Sequence, residues 1–310
     1  MTLIVRDYRD GDSVPLSELL YATAPYLVVT PDGLHAQVTR SPARQHFRLL
    51  VAEEGGTPVG CVRTGLFADT SDTGLSFANL TVAPGARHRG VGGALLAAAE
   101  EHLTGKGAHT VYAWAADDPG AHAFAARHAY RRGRSASFQR LGLTDAGSLP
   151  AVPELPAGVE LLPASHWADD PSPLHAADQE AFQDEPGDVN SDAISLADWK
   201  AVTWDRPGFD PELSIVPVVD GEVAGMLIVE TDGRTRYWSG GTGIRRAHRG
   251  RGLAKAAKAH SLHLARTRGL REAYTSNDDG NEPMLAVNRW LGYRPCATEW
   301  RYIRDLTDRT

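Results

Sequence analysis

The sequence contains one pattern twice, and this internal repeat restricts how the chain can fold more than any other feature. "VAPGARHRGVGGALL" around Arg87 returns 162 positions later as "IRRAHRGRGLAKAAK" around Arg249. Farther along, "ARHAYRR" around Tyr130 is matched by "NRWLGYRP" around Tyr293, at an offset of 163. An offset that holds over about fifty residues indicates a duplicated domain of roughly 150 residues.

We therefore predict two modules, residues 1–147 and 158–310, joined by a linker over residues 148–157. The stretch "TDAGSLPAVPELPAG" at this boundary has the proline and small-residue content of a linker. In each module the hydrophobic pattern predicts a strand, a helical region, a hairpin, a strand, an alanine-rich helix, a further strand, a second helix and a final strand. The hairpins are "FRLLVAEE" with "PVGCVRTGLF" and "LSIVPVVDG" with "EVAGMLIVE".

Composition and charge argue against several classes of function. The chain has 32 basic and 39 acidic residues, a formal net charge of −7, so we expect no nucleic-acid and no membrane partner. Cys61 and Cys296 are its two cysteines, and neither lies in a metal-ligand spacing, so no metal site is predicted. The start, "MTLIVRDYRDGDS", lacks the apolar core of a signal peptide, and we expect a cytoplasmic protein.

The repeated segment is a strand, a glycine-rich turn and a helix, an arrangement suited to holding phosphate groups. Glycine lets backbone N–H groups approach a ligand, the helix N-terminus adds partial positive charge, and arginine adds a full charge. No "GKS" or "GKT" follows, so the segment is not a Walker loop, and no "GxGxxG" opens a parallel βαβ unit. The defining positions are Arg87, Gly90 and Gly92 in the first copy and Arg249, Gly252 and Ala254 in the second.

Both segments resemble the acetyl-CoA pyrophosphate loop of GNAT (GCN5-related) N-acetyltransferases, with its Q/R-x-x-G-x-G/A motif. The resemblance covers nearly the whole chain, as two tandem modules. It implies an α/β fold in which each module has a mixed, mostly antiparallel sheet, splayed where the cofactor enters and flanked by helices. In the second copy it implies that acetyl-CoA is held by Thr242, Gly243, Ile244, Arg249, Gly250, Arg251, Gly252, Leu253, Ala254, Asn277 and Asn281. The first-copy positions are Leu80, Val82, Arg87, Arg89, Gly90, Val91, Gly92 and Gly93.

The catalytic residues are harder to assign, because the tyrosine with which the family often protonates the leaving thiolate is absent. Its position is Ala125 in the first copy and Asn288 in the second, and neither fourth strand carries a carboxylate. For the second module we consider Glu230 as the base, Tyr237 as a proton donor and Asn288 as a polar participant.

The second module is the better candidate for catalysis. Asn277 and Asn281 follow its fifth strand, where the family's asparagine often meets the cofactor, although Asn281 could equally cap the next helix. The first module has Ala115 at the position of Asn277, and Ala129 replaces the glycine that closes the last helix. The first module is therefore predicted to be degenerate or to bind cofactor without turnover.

The acceptor pocket is expected between the first strand and the hairpin of the second module. Residues 169–212 hold twelve acidic residues against Lys200 and Arg206, which favours a cationic acceptor, although acidic helices can also be merely solvated. Asp184, Glu185 and Trp199 are the acceptor-binding candidates.

The leading hypothesis is an acetyl-CoA-dependent N-acetyltransferase acting on a small, cationic amine such as an amino sugar, an aminoglycoside or an amino-acid-like metabolite. Direct attack in a ternary complex is favoured, because neither cysteine lies at a motif position. A non-catalytic acetyl-CoA-binding regulator and an enzyme acting on protein N-termini are the alternatives. The protein is expected to be a monomer or a homodimer.

Overall fold

The fold is described from a computed structural model of the chain. The residues whose structure is described are 2–144, 149–183, 188–189 and 192–307. Within these ranges the chain divides into two compact units, the first made of residues 1–136 and 297–310 and the second of residues 137–296.

The helices and strands follow the order that the repeat predicts. The strands are β1 (Leu3–Asp7), β2 (Arg48–Glu54), β3 (Thr57–Leu66), β4 (Leu75–Val82), β5 (Thr110–Ala116), β6 (Arg131–Gly142), β7 (Val159–Pro163), β8 (Ile215–Val219), β9 (Glu222–Val223), β10 (Gly225–Thr231), β11 (Arg236–Ile244), β12 (Glu272–Asp278) and β13 (Arg294–Asp305). The helices are α1 (Ser13–Thr23), α2 (Pro31–Arg40), α3 (Val91–Thr104), α4 (Pro119–Arg127), α5 (Ser172–Phe182), α6 (Leu196–Trp199), α7 (Leu253–Thr267) and α8 (Glu282–Leu291).

The first unit is a sheet in the order β1-β2-β3-β4-β5-β13. The pairs β1–β2, β2–β3, β3–β4 and β5–β13 are antiparallel, and β4–β5 is parallel. Leu95 and Leu103 of α3 are fully buried in the same core as Val62 of β3. This is the mixed, mostly antiparallel sheet with flanking helices that was predicted.

The second unit repeats this plan around β10, β11 and β12. β10 and β11 are antiparallel and β11 and β12 are parallel, while β7, β8 and β9 form a separate three-stranded sheet. The predicted strand "EVAGMLIVE" is divided at Ala224, because Glu222 and Val223 pair with β8 whereas the chain from Gly225 onward pairs with β11.

The parallel pair at the centre of each unit separates after a few residues. β4 and β5 pair as far as Phe77 and Tyr112, and β11 and β12 as far as Ser239 and Thr275. Beyond these points β4 no longer pairs with β5, and β11 no longer pairs with β12. This separation is what the predicted splayed sheet requires. An opening that begins at Ser239 and Thr275 therefore leads into the second unit.

Two further differences from the sequence predictions concern a helix and the last strand. Helix α2 was not predicted, although Thr30 caps it by accepting from the Gly33 backbone N–H at 3.0 Å, and Pro31 opens its first turn. The compact units also differ from the predicted modules at the last strand, because the segment of β13 from Glu299 to Asp305 pairs with β5 and belongs to the first unit. The predicted linker is irregular where it is described, and Leu149 within it is buried in the second unit's core.

Candidate active site

A cavity of about 570 Å³ lies in the second unit, within the size range of small-molecule sites. Its walls are the end of α5, the separated parts of β11 and β12, the turn before α7, the first turns of α7 and the start of α8. It runs from the glycine-rich turn to Ser239 and Thr275, where β11 and β12 separate.

The turn at the mouth of this cavity has the geometry of an anion site. Gly250 and Gly252 adopt positive φ angles of 74° and 77°, and Gly252 is the N-cap of α7. A Cβ atom at either glycine would meet nothing within 4 Å, so the space in front of the helix N-terminus is open. The first N–H groups of α7 have no partner inside the helix, which gives this end a partial positive charge.

Arg249 holds this turn against the end of β11. Its Nε donates to the carbonyl oxygen of Ile244 at 2.9 Å, and Arg249 also lines the cavity. In the first unit Arg87 donates in the same way to the carbonyl oxygen of Val82, at 3.3 Å. The arginine of the motif therefore shapes the turn as well as adding charge to it.

Strand β11 carries a bulge at the bottom of the opening. The register with β10 shifts between Ile228, opposite Gly241, and Val229, opposite Ser239, so Gly240 is the extra residue. The extra residue of a bulge lies outside the hydrogen-bonded ladder. Gly240 also lines the cavity, where its backbone N–H is a candidate donor to a ligand carbonyl.

The glycines of β11 also make room for helix α5. A Cβ atom on Gly243 would lie 2.6 Å from Cβ of Ala181, and one on Gly241 would lie 2.7 Å from Cζ of Phe182. Side chains at these positions would force α5 away from the strand. The "SGGTG" segment therefore brings Ala181 and Phe182 to the cavity wall.

Two asparagines, one capping α8 and one within it, have separate roles. Asn281 caps the helix by accepting from the Met284 backbone N–H at 3.3 Å, and it also lines the cavity, so both readings of this residue fit its position. Asn288 is fully buried, and its Nδ2 donates to Oδ1 of Asn277 on β12 at 2.7 Å. This bond engages one oxygen of Asn277 and leaves the Asn277 amide nitrogen as the donor it can offer to the cavity.

Most of the predicted cofactor residues of the second copy meet at this cavity. Arg251 is not among the lining residues; one of its Nη atoms lies 3.5 Å from Nδ1 of His248. The predicted residues that line it are Thr242, Gly243, Ile244, Arg249, Gly250, Gly252, Leu253, Ala254, Asn277 and Asn281.

The predicted base and proton donor are not brought to the cavity. Tyr237 is fully buried, its hydroxyl lies 3.0 Å from Oγ of Ser261, and burial raises the pKa of this hydroxyl. Glu230 forms an ion pair with Arg206, at 2.8 Å between Oε1 and an Nη atom. Neither is among the residues that line the cavity, so their positions do not support the catalytic roles that we predicted.

Of the three acceptor candidates, the structure describes Trp199, and it does not line the cavity. Trp199 is buried, and its Nε1 donates to Oδ2 of the buried Asp178 at 2.8 Å, so Trp199 belongs to the core rather than to a pocket wall. Asp184 and Glu185 lie outside the described residues.

The sequence interpretation missed Lys258, Ser239 and Thr275, which line the cavity where the strands separate. The Nζ of Lys258 donates to Oγ of Ser239 at 3.0 Å. A signal was present, because Lys258 lies four residues from both Ala254 and Leu262, on the stripe of α7 that faces the core.

Side chains lie across the matching opening of the first unit. The backbone N–H of Trp114 on β5 donates to Oδ1 of Asn79 on β4 at 2.9 Å, so a side chain bridges the two strands where they separate. A Cβ on Gly92 would lie 3.1 Å from the ring of Phe124. His88 occupies the position of Gly250 with a strained φ of 61°.

The remaining predicted first-copy residues lie on the same strand, turn and helix. Arg89 forms an ion pair with Glu54 at 2.6 Å, and Gly90 caps α3 with a φ of 86°. Leu80 and Val82 lie on β4, and Val91, Gly92 and Gly93 open α3. In the part of the chain that the structure describes, no helix is both long and apolar enough to cross a membrane.

The chain is similar to known acetyltransferases over most of its length. The model of the Acetyltransferase (GNAT) family matches it twice, over residues 18–130 and 172–293. A mycothiol acetyltransferase of Clavibacter michiganensis subsp. michiganensis is 32% identical over 259 residues, which cover 83% of this chain and 79% of the relative. A mycothiol acetyltransferase of Kineococcus radiotolerans is 34% identical over 259 residues, or 82% of this chain and 80% of the relative.

Solved structures show the same architecture. A tandem GNAT protein from the clavulanic acid biosynthesis pathway superposes with a TM-score of 0.73 at 22% identity, over 98% of both chains. A GCN5-related N-acetyltransferase from Sphaerobacter thermophilus gives a TM-score of 0.72 at 21% identity, over 98% of this chain and 95% of the other. Two family matches, two similar relatives and the tandem fold agree: the chain belongs to the GNAT family and is an acetyl-CoA-dependent N-acetyltransferase.

Proposed function

We propose that the second unit binds acetyl-CoA in its cavity and transfers the acetyl group to a small amine. The observation that carries this proposal is the continuity of the cavity, which joins the open N-terminus of α7 to the point where β11 and β12 separate. The pyrophosphate would lie against the backbone of Gly250, Gly252 and Leu253. The pantetheine arm would follow the unpaired edge of β11 toward Gly240.

The first unit is proposed to have a structural role. Its opening is bridged by Asn79, and Phe124 lies over the helix start at Gly92. Backbone strain at His88, where the second copy has glycine, also supports a turn that is not kept open for a ligand.

The reaction is proposed to be direct attack of the amine on the thioester. A covalent route would need a nucleophile in the cavity, and neither cysteine lines it. Cys61 is buried in the first unit, and burial raises its thiol pKa to about 11. The Sγ of Cys296 donates to the carbonyl oxygen of Phe138, at 3.4 Å. The backbone N–H of Gly240 would polarise the acetyl carbonyl.

The acceptor is proposed to be an amino sugar or a related small amine, since the curated relatives are named mycothiol acetyltransferases. The predicted preference for a cationic acceptor rests on the twelve acidic residues between positions 169 and 212. Within this stretch Glu180 pairs with Arg245 and Asp210 with Arg268. Attraction of a cationic amine would therefore depend on the other acids of the stretch.

A turnover screen tests this proposal. The protein is incubated with acetyl-CoA and, separately, with a cysteinyl amino sugar, glucosamine, an aminoglycoside and a short peptide with a free N-terminus. Consumption of acetyl-CoA is followed by the loss of the ultraviolet absorbance of its thioester, because the cysteinyl amino sugar carries a thiol of its own, and the product is identified by mass spectrometry. Acetylation of one of the small amines but not of the peptide is the expected result. Turnover of the peptide alone would contradict the proposed acceptor class.

A further inference from the structure

Lys258 is a buried lysine in the wall of the proposed acetyl-CoA cavity. It is 1% exposed, lies on the second turn of α7 and lines the cavity. Its Nζ donates to Oγ of Ser239 at 3.0 Å and lies 5.8 Å from the ring centre of Tyr293. A buried lysine normally has an ionic partner, because an unpaired charge is costly inside a protein.

No carboxylate compensates this lysine among the described residues. Lys258 has no ion pair there, and burial alone lowers its pKa to about 7. Tyr237 of β11 and Tyr293 after α8 are the titratable groups deepest in this core, and burial raises the pKa of both, so they are neutral when Lys258 titrates.

The carboxylates on the described elements that pack near α7 have other partners. On β12, Glu272 pairs with Arg140, and Asp278 accepts from the Gly280 backbone N–H at 2.8 Å. On α8, Glu282 pairs with Arg289. Glu230 of β10 pairs with Arg206, and β8 has no titratable side chain. When protonated, the amine of Lys258 is therefore a cation without a counter-ion in the part of the chain that the structure describes, and it lines a cavity that a ligand can enter.

The position of Lys258 coincides with the start of the strand separation. Ser239, which accepts its hydrogen bond, is the last residue of β11 that pairs with β12. Gly240, the bulge residue proposed to contact the acetyl carbonyl, comes next in the chain. In thioester aminolysis negative charge develops first on the carbonyl oxygen and then on sulfur, and a nearby ammonium stabilises both.

We propose that Lys258 is the general acid of the reaction and protonates the sulfur of CoA as the acetyl group leaves it. This proposal rests on the proposed binding of acetyl-CoA in the same cavity. It accounts for the missing tyrosine of the family pattern. Asn288 stands at that position, fully buried and bonded to Asn277, so α8 presents no hydroxyl to the leaving group.

The step balances without another reactant. The acceptor nitrogen forms a bond to the acetyl carbon, and the carbon–sulfur bond breaks with its electron pair on sulfur. The ammonium of Lys258 gives one proton to sulfur, so CoA leaves as the thiol. The neutral Lys258 then takes the proton that the acylated nitrogen must lose, and the enzyme returns to its initial state.

The first test observes Lys258 without any acceptor amine. The chain has four lysines, so protein labelled with ¹³C and ¹⁵N in lysine gives four side-chain signals, and Lys258→Met identifies one of them. That signal should titrate near pH 7. Addition of acetyl-CoA should then shift the Lys258 signal, because the proposed position of the thioester is against its amine, and should leave the signal of the exposed Lys106 unchanged. An unshifted Lys258 signal in protein saturated with acetyl-CoA would overturn the proposal.

The second test is kinetic and uses the panel amine with the highest turnover. Lys258→Met should lower kcat by about 10²–10³-fold, with the Kd for acetyl-CoA changed less than about threefold. The wild-type kcat should fall as the pH rises through 7, and the variant should lack this decline. An acetyl thioester of an acidic aryl thiol needs no proton on leaving, so the variant should lose much less rate with it. Lys106→Met, an exposed lysine of the first unit, should behave as wild type.

The outcomes separate the two proposals. If the wild type neither binds nor turns over acetyl-CoA, the proposed function fails. If the wild type turns over and Lys258→Met keeps its kcat and its pH profile, only the role of Lys258 fails. If Lys258→Met binds acetyl-CoA but loses rate equally with acetyl-CoA and with the aryl thioester, Lys258 does not act on the leaving sulfur.

Discussion

The Nδ2 of Asn288 donates to Oδ1 of Asn277 at 2.7 Å, which ties helix α8 to strand β12 at the wall of the cavity. Asn288 is fully buried, and its Oδ1 is a buried acceptor without a hydrogen-bond partner among the described residues. Because Oδ1 of Asn277 accepts this hydrogen bond, the amide nitrogen of Asn277 is the side-chain group that can face a ligand. The residue at the family's tyrosine position thus orients a neighbour instead of presenting a hydroxyl itself.

We expect the two asparagines to be energetically coupled. Asn288→Ala should lower the free energy of unfolding by about 2 kcal/mol, because it removes a buried bond and leaves a small cavity. With Asn277→Ala the double variant should show a coupling of about 1 kcal/mol in urea denaturation. Asn281→Ala, which removes the cap of α8, is the control and should add independently to Asn288→Ala. Strict additivity of Asn277→Ala and Asn288→Ala would show that the bond contributes nothing.

The ends of the two equivalent helices provide a matched pair of stability predictions. Ala129 follows α4 with a φ of 60°, whereas Gly292 closes α8 with a φ of 95°. Alanine is strained in this left-handed conformation and glycine is not. Ala129→Gly should therefore raise the free energy of unfolding by about 1 kcal/mol, and Gly292→Ala should lower it by a similar amount. Thermal denaturation of both variants checks the prediction, and changes of the same sign would contradict it.

Burial of Lys258 should make stability depend on pH. Its pKa is about 7 in the folded protein, below the ordinary lysine value, so the unfolded chain binds more protons between these two values. The free energy of unfolding therefore decreases as the pH falls toward 7 and increases as the pH rises above 7. Relative to Lys258→Met, the wild type should gain about 3 kcal/mol between pH 7 and pH 9.5. Chemical denaturation of both proteins at the two pH values measures this difference, and a constant difference would mean that the lysine keeps its ordinary pKa.

Trp199 was predicted to bind the acceptor, and its position in the core leads to a different expectation. Its Nε1–H is bonded to the buried Asp178, and leaving a buried polar group without its partner costs about 1–3 kcal/mol. Trp199→Phe should lower the free energy of unfolding by this amount while KM for the amine stays within about twofold. A large rise in KM with unchanged stability would return Trp199 to the acceptor site.

The fold and the cofactor turn were predictable from the sequence because a repeat tests every local assignment twice. The glycine positions at 90 and 252 and the strand before each could be aligned directly, and both adopt the positive φ that only glycine tolerates easily. The repeat provides no such test for the catalytic residues, because they need not recur in both copies. Tyr237 and Glu230 were selected by residue type, whereas burial and the ion pair with Arg206 decide their accessibility.

Lys258 is the opposite case, because its residue type alone does not indicate that it lines the cavity. A lysine in an alanine-rich helix suggests a solvated face, although its spacing from Leu262 indicates the buried stripe of α7. The packing of α7 against β11 then places its amine beside Ser239. The same reasoning explains why the segment of β13 from Glu299 to Asp305 belongs to the first unit and not to the second predicted module. Hydrophobic alternation predicts that the segment ending at Asp305 is a strand, but pairing with β5 is decided by tertiary contacts.

Calorimetric titration of acetyl-CoA tests most directly whether the second unit, and not the first, binds the cofactor. Gly252→Asp places a carboxylate at the proposed pyrophosphate position, and Gly252→Asn has the same size and backbone demand without the charge. Gly90→Asp and Gly90→Asn make the same changes at the equivalent turn, where a Cβ also meets nothing within 4 Å. We predict that Gly252→Asp weakens binding at least about tenfold more than Gly252→Asn, and that the two Gly90 variants bind like the wild type. Loss of binding in Gly90→Asp with full binding in Gly252→Asp would contradict the account.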